Sequence, residues 1–500
     1  MYNTPAIFMC DSYKLAHADM YPEEQTLLFS TWVPRSDKIA RLTGRQLSAD
    51  NSVVMFGVSV AIKKLVELYD AWFDRALSDV LGEYSTFIKA FLKVDVSDEQ
   101  LDRIRHLHEL GYLPIKFMYL PDGTVTKTGV VQLAVYNTHE DFSWLVNYIE
   151  SALSSLLWSM QVNATIARNY RQECEKWAAE TCDNNLHVDW QCHDFAFRGK
   201  DAIEAGELNQ MGHLLYFNGT DTLPALFAAK AYYDGFNLAD YGSVPAAEHS
   251  VMCAGGEESE LETFERLIDF YKTGIVSIVS DTWNFWEVLT KIMPELKSQI
   301  MARDGKVVIR PDSGDPVDII TGNPDAEPGS PEYKGAIELL WEVFGGEVNS
   351  KGYKVLDSHI GLIYGDSITL ERARAIFERL AAKKFASSNV VLGIGSYTYQ
   401  CNTRDTFGFA MKATGAVIAD EEVALFKDPI TDDGIKRSFR GFLNTFIDDD
   451  GNYYTVDGLT LEEATEHYET AFIEFDPEFE SVEVLREHWE IVKERARQAS

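Results

Sequence analysis

The chain has 500 residues, 46% of them hydrophobic and 25% charged, and a formal net charge of −34. Its length asks for about two to four domains. The charge excludes a general nucleic-acid binder, whose surface must be basic, so any anion site has to be a local cluster of Arg and Lys.

The chain opens with M-Y-N-T-P-A-I-F-M-C-D, in which no basic segment precedes an apolar one, so no secretory leader is expected. No segment reaches the roughly 18 consecutive apolar residues of a membrane span. Residues 1–140 mix short strands and helices. Val58, Ile62, Leu65, Leu68 and Trp72 recur at helical spacing through 57–78, and the β-rich run V-V-Q-L-A-V-Y follows Gly129. A long helical stretch is predicted over about 141–180.

From about 185 to 410 short β-rich runs recur and end in polar, acidic or glycine-containing turns. H-V-D-W-Q-C leads into H-D-F-A-F-R-G, L-L-Y-F-N into G-T-D-T, and I-V-S-I-V-S into D-T. Further on, V-V-I-R leads into P-D-S-G-D-P, I-G-L-I-Y into G-D-S, and N-V-V-L-G-I into G-S. Helical patterns lie between several of them, at 258–272, 284–300 and 368–384. The Pro- and Gly-dense stretch 321–335 reads as a surface excursion. Strand, loop and helix in repetition predict a parallel α/β barrel with its site at the C-terminal strand ends; an open doubly wound sheet has the same texture. Past 410 strands and helices mix again, and an acidic helical tail is predicted over 460–498. The expected domains are 1–150 and 405–500 as the two parts of a flanking domain, with the barrel at 151–404.

The strand ends collect Arg198, Asp221, His249, Asp281, Arg310, Asp312, Asp366, Gly393 and Gly395. Arginines there can grip phosphates, carboxylates can hold Mg²⁺ or sugar hydroxyls, and glycines let backbone approach a phosphate. A single Asp after a strand is more often a helix cap, and a lone His more often structural. Recurrence at many strand ends favours a site for a phosphorylated sugar with a metal. The cysteines (Cys10, Cys174, Cys182, Cys192, Cys253, Cys401) are scattered without a C-x-x-C pair. They predict free thiols, no zinc site and a cytoplasmic location.

D-S-Y-K-x-x-H (11–17), H-D-F-x-x-R-G (193–199), G-T-D-T (219–222), S-V-P-A-A-E-H-S (243–250) and I-R-P-D-S-G-D-P (309–316) resemble the nicotinamide phosphoribosyltransferases. So do G-D-S (365–367), T-R-D (403–405) and F-K-D-P (426–429), in the same order, over about residues 8–445. The resemblance implies an irregular parallel α/β barrel plus a β-rich α+β domain built from the N- and C-terminal segments. It implies a homodimer with shared sites. The reaction it implies makes nicotinamide mononucleotide and pyrophosphate from nicotinamide and phosphoribosyl pyrophosphate, with Mg²⁺ as cofactor and ATP as activating co-substrate. Partner nucleic acid and membrane are not expected.

Residue by residue, the resemblance puts Phe195 on one face of the pyridine ring and Tyr13 of a second subunit on the other, with Asp11 beside it. Asp221 takes the carboxamide NH₂. Arg310 lies near ring and phosphate, followed by Pro311, and Asp312, Gly365 and Asp366 hold the ribose. Arg198 contacts phosphate, and Gly395, Ser396 and Arg404 surround the 5′-phosphate. Arg35, Lys412 and Lys436 meet pyrophosphate from the opposite subunit, and Ser243 belongs to the substrate set. His249 corresponds to the histidine phosphorylated by ATP, oriented by Asp281. Mg²⁺ is expected through the pyrophosphate, with Asp312 or Asp366 as its protein ligand. One departure is that Ser396 stands where relatives often carry a glycine. The rival reading, nicotinate as substrate, is disfavoured because a carboxylate facing Asp221 would be repelled.

Overall fold

The computed structural model describes residues 4–42, 50–427, 439–466 and 469–498. The chain forms two compact units: one from Met1–Val162, Tyr232–Asp234 and Asn402–Ala496, the other from Asn163–Ala231, Gly235–Cys401 and Arg497–Ser500. No described helix is long and apolar enough to cross a membrane.

The first unit is built on a six-stranded antiparallel sheet in the order Glu421–Ala424, Phe409–Ile418, Gln25–Pro34, Leu133–Asn137, Ile115–Tyr119, Ile473–Phe475. Its longest pairing sets Ser30 opposite Ala413 and Trp32 opposite Met411. The strand Gln25–Pro34 is rich in β-branched and aromatic residues and is nearly all buried. Trp32 stacks on Phe409 at 5.3 Å and donates from Nε1 to Gln161 at 2.9 Å, so its one polar atom is satisfied inside the core. The helix Val58–Phe73 starts after Gly57, at φ +82°, where a Cβ would strike the Met160 sulfur.

The predicted helical tail is only partly helical. Leu461–Thr465 and Trp489–Gln498 are α-helices, but Ile473–Phe475 joins the sheet as its edge strand. Asp476-Pro477 ends that strand, because proline removes the next ladder donor. Trp489, Val492 and Ala496 are buried, so the acidic composition of the segment hides an apolar face.

Behind this face lies a buried carboxylate network. Asp122 accepts from the Val58 N–H at 2.9 Å, from Tyr233 at 2.8 Å and from Ser59, and its own N–H donates to Glu487 at 2.8 Å. Arg495 donates to the other Glu487 oxygen at 2.9 Å. Burial, then the nearby Asp122 charge, push Glu487 up to about 7 against the pull of Arg495. A carboxyl whose folded pKa lies above its unfolded 4.5 binds protons preferentially in the native state. Its contribution therefore shrinks as pH rises from 4.5 to 7. Glu487→Gln is expected to gain stability relative to the parent by up to about 3 kcal/mol between pH 5 and pH 8. Denaturant melts at both pH values check this; a pH-independent difference would refute it.

The second unit is built on a parallel sheet in the order Gly219–Thr220, Cys192–Asp194, Val390–Ile394, Ile360–Tyr364, Val307–Arg310, Val276–Val279. An extended segment closes the ring. Gly242 bridges to Gly219 and Ala246 to Ser277, with the Ala247 N–H donating to the Ser277 carbonyl at 2.8 Å. The result is the expected parallel barrel, made irregular by one stave held through single bridges. Helices Glu260–Phe270, Met293–Met301, Ala336–Phe344 and Leu370–Ala382 lie between its strands in sequence.

Two predicted strands are not strands. L-L-Y-F-N (214–218) continues from the helix Met211–Leu214 and is buried through Phe217, and the strand is only Gly219–Thr220. H-V-D-W (187–190) lies in the 3-10 turn Leu186–Trp190, where Arg171 takes Asp189 as an ion-pair partner. Short apolar runs carry no periodicity that separates a buried strand from a buried helical turn.

Candidate functional site

In the second unit the C-terminal ends of the strands carry the chemistry. The strand Cys192–Asp194 delivers Phe195, whose N–H donates to the Ile394 carbonyl at 2.9 Å. Gly393 on the neighbouring strand makes room for this ring: a Cβ there would lie 2.6 Å from Phe195 and 2.8 Å from the Tyr364 carbonyl. The Arg310 guanidinium stands 5.4 Å from the Phe195 ring centroid. Its Nε is buried without a hydrogen-bond partner, and one terminal nitrogen lies 3.7 Å from Asp312.

Asp221 follows the strand Gly219–Thr220. One of its oxygens, Oδ1, accepts from His193 at 2.9 Å and from the Ser243 hydroxyl. Burial works to raise its pKa, but these two hydrogen bonds and the charges of His193 and Arg310 prevail and hold it below the usual carboxylate range. Asp221 is thus an ionised acceptor with Oδ2 left over. These residues line a cavity of about 560 Å³ that runs inside the ring from Phe195, Asp221, Ser243 and Arg310 towards Ile275, Lys306 and Val390 at the strand starts. This volume fits a small-molecule site.

A second group lies around His249, the first residue of the helix His249–Gly255. Its ring is about half exposed, and Nδ1 is in hydrogen-bond contact with Thr282 at 3.1 Å. Nε2 stands 3.9 Å from Asp281 Oδ1 and 3.9 Å from Asp312 Oδ2. Thr282, not Asp281, is therefore the hydrogen-bonded neighbour, and the two carboxylates stand one step further from the ring. Asp281 is fixed through its other oxygen, which accepts from the Asp312 N–H at 2.7 Å and from Ser313 at 2.6 Å. Its Oδ1 is buried and lacks a hydrogen-bond partner.

Gly365 packs against the pair, where a Cβ would meet Asp312 at 2.6 Å, and its N–H donates to the Pro311 carbonyl at 3.2 Å. Asp366 accepts from Ser367 at 2.6 Å and is exposed. Ser396, the residue after Gly395, begins the short helix Ser396–Gln400 and lies so close to Gly199 that a Cβ there would collide with its hydroxyl. Arg198, next to Gly199, is exposed.

The first unit holds the remaining expected residues. Asp11 accepts from Ser151 at 2.6 Å, and Tyr13 is exposed. Arg35 donates to the Gly408 carbonyl at 2.8 Å. Burial first, then the charges of Lys427, Arg35 and Arg404, hold the Lys412 ammonium below its usual range. Within a chain of charge −34, four cations in one neighbourhood suit a polyanion. Lys436 lies outside the described residues, as does Asp428-Pro429 of the F-K-D-P motif.

Sequence reasoning assigned no role to His193, Thr282 or Ser313. All three stand beside residues it did single out, in H-D-F, S-D-T and P-D-S-G, but their value lies in partners about 30 positions away. Asp194 was also missed. It is fully buried and accepts from the Ala196 N–H at 2.9 Å and from Gln210 at 2.8 Å, which sets the turn that carries Phe195.

Residues 190–470 match the model of the nicotinate phosphoribosyltransferase (NAPRTase) family. The chain is 46% identical to a nicotinamide phosphoribosyltransferase of Acinetobacter baylyi over 450 residues, 88% of each chain. It is 33% identical to one of Mycoplasma pneumoniae, covering 85% of this chain and 92% of that one. Among solved structures it resembles a nicotinate-nucleotide pyrophosphorylase from Pyrococcus furiosus (TM-score 0.55, 13% identity, 100% of this chain and 96% of that chain). It also resembles human nicotinic acid phosphoribosyltransferase (TM-score 0.54, 13% identity, 98% and 93%). At that identity the structures support the fold alone.

Proposed function

The chain belongs to the nicotinate phosphoribosyltransferase family of pentosyltransferases, and from that membership we propose that it joins nicotinamide to phosphoribosyl pyrophosphate. The products are nicotinamide mononucleotide and pyrophosphate, in NAD biosynthesis. The observation that carries the choice of substrate is Asp221. Held ionised by His193 and Ser243, it keeps Oδ2 to accept from a carboxamide NH₂ beside the Phe195 ring. Nicotinate would set a carboxylate against it, a like-charge contact without compensation.

The reaction breaks the anomeric C–O bond to pyrophosphate and forms a bond from the pyridine nitrogen to the same carbon. Positive charge develops on the ribose as the bond breaks. The protein's task is placement and charge. Phe195 and Tyr13 of a second copy stack on the two faces of the ring, Arg310 lies near ring and phosphate, Asp312 and Asp366 hold ribose hydroxyls, and Arg198 and Ser396 take phosphate oxygens. Tyr13, Arg35, Lys412 and Lys436 of a second copy complete the site in a homodimer, with Arg404 near the 5′-phosphate. Asp281, Asp312 and Asp366 are carboxylates suited to Mg²⁺, and the unpartnered Asp281 Oδ1 fits such a role. When bound, Mg²⁺ neutralises the leaving pyrophosphate. ATP transfers its terminal phosphoryl group to His249 Nε2, releasing ADP; this assists synthesis without being part of the glycosyl transfer.

The deciding experiment incubates the protein with phosphoribosyl pyrophosphate, Mg²⁺ and either nicotinamide or nicotinate, with and without ATP. Nicotinamide mononucleotide should form, faster with ATP; preferential formation of the nicotinate product would overturn the assignment. A second test concerns the floor of the ring slot. Gly393→Ala forces its Cβ against the Phe195 ring and the Tyr364 carbonyl, an overpacking worth about 1–3 kcal/mol. It is expected to raise KM for nicotinamide about tenfold, with a smaller change in KM for phosphoribosyl pyrophosphate. Equal changes in both would refute the role.

A further inference from the structure

Away from the residues assigned to substrate, the first unit places two histidines and an aspartate around one point. His106 projects from the helix Asp98–Leu110, and His139 and Asp141 lie in the turn after the strand Leu133–Asn137. His106 Nδ1 is 3.3 Å from Asp141 Oδ2, and His139 Nδ1 is 3.8 Å from the same oxygen. One ligating atom from each residue lies within 4.8 Å of the others. We propose that His106, His139 and Asp141 form a binding site for a borderline transition-metal ion of the Zn²⁺ class.

The spacing fits the chemistry. Bonds of about 2.0–2.1 Å in a tetrahedron put neighbouring ligand atoms about 3.3 Å apart. Two of the three edges, 3.3 and 3.8 Å, need little adjustment, and the third is within 4.8 Å. The rings are also held before any metal arrives. Phe142 is fully buried beneath both, with centroids 5.3 Å from His106 and 5.2 Å from His139. The His139 carbonyl accepts from the Asn137 side chain at 2.9 Å, which anchors the turn.

The His139 tautomer is suitable too. Its Nδ1 accepts from the Asp141 N–H at 3.3 Å, which requires an unprotonated Nδ1 whose lone pair is directed at that N–H. A metal has only to replace this long hydrogen bond. Two imidazoles and one carboxylate select Zn²⁺, Co²⁺ or Ni²⁺ over Mg²⁺ and Ca²⁺, which prefer all-oxygen shells. The three side chains are 38–57% exposed, leaving a fourth position for water. The ion would clamp the helix to the turn; catalysis does not require it.

The test uses full-length protein stripped with a chelator and titrated calorimetrically with Zn²⁺ alone. One equivalent should bind and raise the melting temperature by several degrees. Loss of outer-shell support alone costs ~10–100-fold in metal affinity, so His106→Asn, His139→Asn and Asp141→Asn should each weaken this equivalent by about 100-fold or more. Their metal-free melting temperatures should stay near that of the parent, because the three residues are partly exposed. Co²⁺ in the same site should give a spectrum without a sulfur charge-transfer band, separating it from a site at any of the six cysteines. No binding by the parent, undiminished binding by the three variants, or a thiolate band in place of the expected spectrum would overturn the proposal.

Discussion

Asp221→Asn is expected to lower kcat/KM for nicotinamide by about 10- to 100-fold and to raise relative use of nicotinate. Asparagine has the same shape. Its side-chain oxygen can still accept from His193 and Ser243, so the local frame survives. What changes is the other atom, which turns from an anionic acceptor into an amide donor. A hydrogen bond to a charged group contributes about 1.5–3 kcal/mol, and each 1.4 kcal/mol is a factor of ten in rate. For nicotinate the sign reverses: the like-charge contact is removed and a donor is offered to its carboxylate. Competition assays with both substrates, read as a ratio of kcat/KM values, measure the switch. An unchanged ratio would show that the ring substituent is read elsewhere.

The second large effect is expected from His249→Ala. Nucleotide synthesis without ATP should persist within about tenfold of the parent, while ATP hydrolysis and its stimulation of synthesis fall to background. The imidazole Nε2 is the accessible nitrogen, since Nδ1 is engaged by Thr282. A phosphoryl group on Nε2 would also stand beside Asp281 and Asp312. That crowding of negative charge costs energy unless a cation neutralises it. Phosphorylation should accordingly require a divalent ion, so labelling by γ-labelled ATP should vanish in excess chelator. ATP hydrolysis persisting in the alanine variant would remove His249 from this role.

The barrel was legible because its strands end in unlike chemistry. Asp221, Asp281, Arg310 and Asp366 each follow a β-rich run, and the parallel register brings those ends to one rim. Where the signal was hydrophobicity alone, it misled. Leu214–Phe217 is as apolar as any strand in the chain, yet it is buried as a continuation of a helix. The acidic surface residues of 460–498 likewise hid Trp489 and the edge strand Ile473–Phe475. In the site, residue types were readable and pairings were not. That His193 braces Asp221, or that Ser313 and the Asp312 N–H fix Asp281, depends on neighbours 28 to 32 positions apart. Such pairs exist only once the ring has closed.

The pairing of Gln25–Pro34 with Phe409–Ile418 has a bearing on how the molecule is made. During synthesis the N-terminal strand emerges early and finds Leu133–Asn137 within the next hundred or so residues. Its other edge must wait until residue 418 has left the ribosome. Meanwhile a long strand, nearly all of it buried in the finished fold, presents unsatisfied backbone donors and acceptors, the kind of edge that recruits other chains. The barrel's last strand ends at Ile394, so the ring can close before that edge is covered. Chains interrupted between 394 and 418 should therefore contain a finished barrel and still aggregate.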